Sequence, residues 1–194
     1  PNAVWSYDFV HDQLVDGRAL KMLCVIDEYT RECLAIEAGA SLRSQDVILT
    51  LSRLMRLYGK PAYIRSDNGA EFTAAKVMRW LRDQDVGPAF ITPGSPWQNG
   101  FVESFNGKLR MECLDVEIFR SMAEVQGKLA AWRYDFNHRR PHSSIGDLTP
   151  KEFAARHRKP PSPSAGEGRL GAASVKGDGA LDPAVPQPLK LRGE

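Results

Sequence analysis

The stretch from Gly94 to Cys113, GSPWQNGFVESFNGKLRMEC, constrains this chain more than any other. Asn99, Glu103, Asn106 and Arg110 recur at helical spacing and fall on one stripe. Val102, Phe105, Leu109 and Cys113 fall on the neighbouring stripe. A helix built this way packs its apolar stripe on a core and carries Glu103 sideways at the edge. Pro93-Gly94-Ser95-Pro96 before it is a breaker cluster. Gly107 costs about 1 kcal/mol relative to Ala in a helix interior, and close approach of a bulky partner is one reason to carry that cost. Taken alone, Glu103 reads as a solvated helix acid and Gly107 as a tolerated flaw, so the rest of the chain has to decide.

Val4 to Val10 alternates as a strand, with Trp5, Tyr7 and Phe9 on one side and Ser6, Asp8 and Val10 on the other. Asp8 is therefore an acid in mid-strand, where Asp is disfavoured; an edge strand with one wet face would also explain it. Asp16-Gly17 signals a hairpin, Leu20 to Ile26 a central strand, Asp27 to Arg31 a turn, and Cys33 to Ala38 a third strand. Ser44 is the expected N-cap of a helix whose core stripe is Val47, Leu51, Leu54, Met55 and Tyr58. Tyr63 to Ser66 forms a short strand running into Asp67-Asn68-Gly69, and an acid just past a strand's carboxyl end is a common place for chemistry. Thr73 caps the next helix, with Ala74, Val77, Trp80 and Leu81 inward. Gly87 and Pro88 are expected to stop that helix, and Ala89 to Ile91 to make a last strand. Capping boxes at Ser121/Glu124 and Thr149/Glu152 open two further helices, the first with Val125, Leu129, Trp132 and Phe136 on one face. The turn between them, NHRRPHSS from Asn137 to Ser144, is basic.

The order of elements predicts an α/β fold with a mixed five-stranded sheet flanked by helices. If the first and fourth strands are neighbours, Asp8, Asp67 and Glu103 meet at one end of the sheet. Three carboxylates do not gather without a cation, because two unit charges 4 Å apart repel by about 4 kcal/mol at an effective dielectric near 20. An all-oxygen set selects Mg²⁺ or Mn²⁺, and a pair of such ions suits in-line phosphoryl displacement.

Asp67 and Glu103 are separated by 35 residues, and Asp8 precedes them in WSYDFV. With SDNGAEF, PWQNGFVESFNGKLRMEC and FNHRRPHSSIG around and beyond the acids, the chain resembles DDE transposases of bacterial insertion sequences. The likeness is to the insertion-sequence three branch, related to retroviral integrases, and covers about residues 1–158. The resemblance implies a ribonuclease H-like fold and two Mg²⁺ ions, with Mn²⁺ as a substitute, held by Asp8, Asp67 and Glu103 as catalytic acids. It implies DNA as substrate, 3′-end cleavage followed by strand transfer, and a homo-oligomer in the active complex. Asn68, Gly69, Asn99, Asn106, Lys108 and Arg110 match flanking motif positions expected to contact DNA, and Arg139, Arg140 and His142 match a basic motif that is also expected to bind DNA. The chain begins at Pro1, so it reads as a piece of a longer protein whose end-recognition region is missing.

Composition bears on partners and compartment. Residues 1–103 carry 11 Lys/Arg against 13 Asp/Glu, and residues 104–159 carry 11 against 7, as suits a cation site beside a polyanion surface. Cys24, Cys33 and Cys113 are odd in number and lie in apolar surroundings, the pattern of buried thiols in a reducing compartment, and the bacterial cytoplasm is the expected location. No apolar run is long enough to span a membrane. Residues 159–194 are rich in Pro, Gly and Ala and read as a disordered tail beyond a catalytic core at 1–158. Two readings compete with a transposase core: a ribonuclease H-like nuclease without strand transfer, and a catalytically silent DNA-binding module.

Overall fold

β1 (Val4–Gln13) divides the molecule into two cores. The computed structural model describes residues 1–66, 75–90 and 100–158, which belong to one unit, Pro1–Arg158. β1 pairs antiparallel with β2 (Ala19–Asp27), which pairs antiparallel with β3 (Cys33–Gly39). On its other side β1 pairs parallel with β4 (Tyr63–Ser66), and β4 with β5 (Gly87–Phe90). The sheet order is β3-β2-β1-β4-β5, so β1 is the middle strand and not an edge. The first and fourth strands are neighbours, and the mixed five-stranded sheet stands as expected.

The period-2 alternation of β1 feeds both cores. Trp5 and Tyr7 are buried with Val47, Leu51 and Leu54 of α1 (Ser44–Tyr58) and with Val77 and Leu81 of α2 (Ala75–Asp83). Val10 is buried on the opposite face against α3 (Gly100–Leu109) and α4 (Met122–His138). Ser6 and Asp8 share the face of Val10 by alternation. α5 (Pro150–His157) closes the chain, and its Thr149/Glu152 capping box is complete, with both backbone N–H groups bonded at 2.9 and 3.2 Å. Among the described residues no helix is long and apolar enough to cross a membrane.

Several boundaries differ from expectation. Arg43, not Ser44, is the N-cap of α1; its N–H donates to Asp46 Oδ2 at 2.7 Å, so the carboxylate does the capping. The first hairpin closes with a longer loop, Leu14 N–H donating to Arg18 O, and Gly17 sits there at φ +83°. Gly87 and Pro88 do not stop α2, which ends at Asp83; both lie in β5. Pro88 is tolerated because β5 is an edge strand. Gly87 is required because a Cβ there would stand 2.6 Å from the Tyr63 ring. Glu124 reaches past the N-cap to accept from Arg120 N–H, while Ser121 Oγ accepts from Glu124 N–H. Thr73, Ala74, Ile91 and the tail at 159–194 lie outside the described residues.

Candidate active site

α3 crosses the second face of the sheet over β1 and β2. The apolar stripe of the sequence is its buried stripe: Val102, Phe105 and Leu109 are almost fully buried, as is Cys113 beyond them. After Leu109 the helix widens into a π-turn, Arg110–Leu114, in which Asp115 N–H donates to Arg110 O at 2.8 Å. The wider turn lets the adjacent Cys113 and Leu114 both reach the core, which a strict α-helical stripe does not. Single π-turns of this kind recur at functional sites.

The polar stripe of α3 meets β1 at Asp8. Asn106 Nδ2 donates to Asp8 Oδ2 at 2.9 Å, and Phe9 N–H donates to Asp8 Oδ1 at 2.7 Å. Asp8 is half-buried, and Asn106 Oδ1 is buried without a hydrogen-bond partner among the described residues. Glu103 is exposed and stands three positions before Asn106, one turn away on the same stripe. Arg110, the next member, donates from Nη2 to His11 O at 2.8 Å and lies 3.5 Å from Asp115. α3 is thus tied to β1 at two points, with Glu103 beyond the first. Gly107 is exposed and a Cβ there would meet nothing within 4 Å, so no described residue makes the close approach its presence suggested.

Asp67, Asn68, Gly69 and Asn99 lie outside the described residues. β4, the strand that leads to Asp67, ends at the buried Ser66 beside β1. A link that sequence reasoning missed holds this neighbourhood: Glu28 accepts from Arg65 Nε at 2.9 Å and from Ser6 Oγ, and Ser6 and Arg65 are register partners. Its only sequence signal is Ser6, one alternation step before Asp8. Other acids are committed elsewhere. Asp27 is fully buried and accepts from the backbone of Asn2, Tyr29 and Thr30. Glu112 pairs with Arg140 and accepts from Trp132 Nε1.

The basic motif divides. Arg139 is exposed, its guanidinium 5.7 Å from the Tyr134 ring. Arg140 is held between Glu112 and Asp135, the latter at 2.6 Å. His142 is half-buried against the edge of Phe136, with Nε2 unpartnered among the described residues. Burial, then the positive charge of Lys108, holds its imidazole below the ordinary value. Lys108 is exposed on α3 with no acid beside it among the described residues. All three cysteines are free and buried, and burial pushes each thiol up.

A sheet of this order with a helix carrying an acid over its central strand is the ribonuclease H-like architecture of retroviral integrase catalytic cores. The likeness is measurable. The simian T-cell lymphotropic virus intasome in complex with PP2A regulatory subunit B56 gamma superposes with a TM-score of 0.65 at 18% identity, over 85% of this chain and 58% of that one. The HTLV-2 integrase catalytic core domain in complex with magnesium, trimeric form, gives 0.60 at 16%, over 79% and 96%. Residues 1–96 match one family model described as an integrase core domain, and residues 84–150 match a second of the same description. The chain belongs to the integrase core domain family, and its similarity extends to proteins of bacterial insertion elements. It is 43% identical over 158 residues to an uncharacterized 31.7 kDa protein of insertion element IS407 from Burkholderia multivorans, covering 81% of this chain and 57% of that protein. It is 40% identical over 158 residues to a 39.2 kDa protein of insertion element IS476 from Xanthomonas euvesicatoria, covering 81% and 46%. A putative transposase for IS986/IS6110 from Mycobacterium tuberculosis is 27% identical, covering 80% and 58%. The chain spans about half the length of these relatives.

Proposed function

We propose that the chain is a transposase catalytic core that cleaves DNA 3′ ends and transfers them to a second phosphodiester. The observation that carries this reading is the Asn106–Asp8 bond, which docks the edge of α3 bearing Glu103 onto the strand bearing Asp8. β4 runs parallel to β1 and ends at Ser66, one residue before Asp67 in the sequence. Asp8, Asp67 and Glu103 would hold Mg²⁺, or Mn²⁺ in its place. The donors fit: they are hard carboxylate oxygens, and Cys24, the cross-strand partner of Asp8, is a fully buried thiol whose titration burial pushes up. When bound, a pair of such ions stabilises the attacking and leaving oxygens of an in-line displacement.

The protein's own groups do the remaining work. Asn106 fixes the carboxylate of Asp8 by donating to one oxygen. Arg110 anchors α3 to β1 through His11 O. Lys108 and Arg139 offer exposed cations to phosphates, and Gly107 leaves the surface beside Glu103 open for a backbone to approach. Arg140 is neutralised by two acids and acts as a brace. The functional unit in this reading is residues 1–158, with 159–194 as an accessory tail, working as a homo-oligomer on DNA in the bacterial cytoplasm.

The test is strand transfer by the purified chain on a duplex with a recessed 3′ hydroxyl, with Mg²⁺ and with chelator. Joined product that needs the metal is expected. Hydrolysis without joining would replace this reading with a plain nuclease, and metal-independent binding without either product with a silent DNA-binding module.

A further inference from the structure

The opposite flank of α3 from Asn106 borders a cavity of about 380 Å³. Phe101, Ser104 and Lys108 line it from the helix, Arg31 from the β2–β3 turn, and His142 and Ser144 from the turn after α4, over an apolar floor. The Arg31 guanidinium lies 3.7 Å from the centroid of the Phe101 ring. Arg31 Nη1 and His142 Nε2 are buried and have no hydrogen-bond partner among the described residues. Arg31 also holds φ +62°, a conformation that non-glycine residues adopt rarely. Among the described residues no acid lines the cavity.

Each feature narrows the ligand. Buried polar groups without partners mark a place where a partner belongs. Two cations without an acid among the lining groups call for an anion. A phenyl ring and a guanidinium plane, one over the other, make a surface on which a flat π-system stacks. The volume suits one nucleotide and is far too small for a duplex about 20 Å across. We propose that this cavity holds a single unpaired nucleotide of the DNA substrate, its base against Phe101 and Arg31 and its phosphate toward Lys108. The proposal rests on the reading of the chain as a DNA-processing core and names a second contact of that core, on the flank of α3 away from Asp8. It requires a frayed or overhanging strand end, which a blunt duplex does not offer.

The experiment compares binding, without metal, of three duplexes: blunt, with a short single-stranded overhang, and with the same overhang lacking its bases. A stacked base is expected to improve affinity about tenfold over the abasic overhang, whose phosphates are the same. Phe101→Ala and Arg31→Gln should each abolish that tenfold preference while changing blunt-duplex affinity less than about twofold, since neither touches a duplex in this scheme. Equal affinity of wild-type protein for the two overhangs overturns the proposal, whatever the variants do. A preference that survives in both variants overturns it as well. Phe101 is 44% exposed, so its truncation spares the core; if Phe101→Ala nevertheless melts early, the wild-type comparison and Arg31→Gln decide. Metal-dependent joining that persists while the base preference is absent removes this cavity and leaves the transposase reading intact, whereas failure to bind any of the three duplexes removes both.

Discussion

Asn106 Nδ2 donates to Asp8 Oδ2 at 2.9 Å, joining a helix and a strand whose partners are 98 positions apart in the chain. The bond fixes how far α3 is rotated over β1. Because Glu103 and Asn106 lie on one stripe, that rotation also sets where Glu103 stands relative to Asp8.

Asn106→Ala should therefore cost both stability and activity. A hydrogen bond to a charged group is worth about 1.5–3 kcal/mol, and half-burial places this one at the low end. For a domain of this size that is a fall of roughly 3–6 °C in melting temperature. Strand transfer should drop at least about tenfold, equivalent to about 1.4 kcal/mol of barrier. Thermal melting and single-turnover joining check the two effects together, and a variant with unchanged melting and full activity would show that the bond positions nothing.

Two cations that look alike in the sequence should behave differently in salt. Lys108 is exposed without an acid beside it among the described residues, whereas Arg140 sits between Glu112 and Asp135. Each phosphate contact contributes about 0.9 to the slope of log affinity against log salt on duplex DNA. Lys108→Gln should flatten that slope by about this amount. Arg140→Gln should leave the slope alone and lower the melting temperature, because it leaves two acids facing each other. Equal slope changes in both variants would contradict the division of the basic motif.

His142 gives a pH dependence whose sign is fixed. Burial, Lys108, Arg140 and Arg31 hold its folded-state value below the ordinary 6.5. The unfolded chain then binds more protons, so stability rises with pH through this window. The contribution is fully present above about pH 6.5 and is lost as pH falls from there through the lower folded-state value. The gap in melting temperature between wild type and His142→Gln should thus shift against the wild type from pH 7.5 to pH 5.5. A gap that is constant over this range would mean that the imidazole does not titrate differently on folding.

Much of the packing of β1 and α3 was legible in the sequence because it rests on periodicity. The alternation of Trp5, Tyr7 and Val10 announced two faces, and the four-three-four spacing of Val102, Phe105, Leu109 and Cys113 announced the buried side of α3. What stayed hidden depends on groups distant in the chain. Nothing near Arg65 signals that it shares Glu28 with Ser6, and nothing near Arg31 signals Phe101 beneath it. Gly87 read as a helix stop because local propensity cannot see the Tyr63 ring that excludes a Cβ. Arg140 read as free for DNA because its neutralising acids, Glu112 and Asp135, come from the π-turn and from α4.

The sharpest separation of binding from chemistry is at Glu103. The side chain is exposed at the edge of the apolar stripe and contributes nothing to either core. Glu103→Gln keeps the shape and removes the charge, so in the proposed reading a carboxylate ligand for the metal is lost while the helix is not. Enzymes lower barriers by about 8–23 kcal/mol, and losing about 4 kcal/mol of that slows a reaction roughly 10³-fold. Cleavage and strand transfer should both fall by that order. DNA affinity should hold or rise, since a negative charge facing phosphate has gone. Melting should be unchanged, in contrast to Asn106→Ala, where stability and activity fall together. The three measurements on one purified variant are Mg²⁺-dependent joining, duplex binding and thermal melting. Normal joining would return Glu103 to the role of a solvated helix acid, and early melting would make it a structural one.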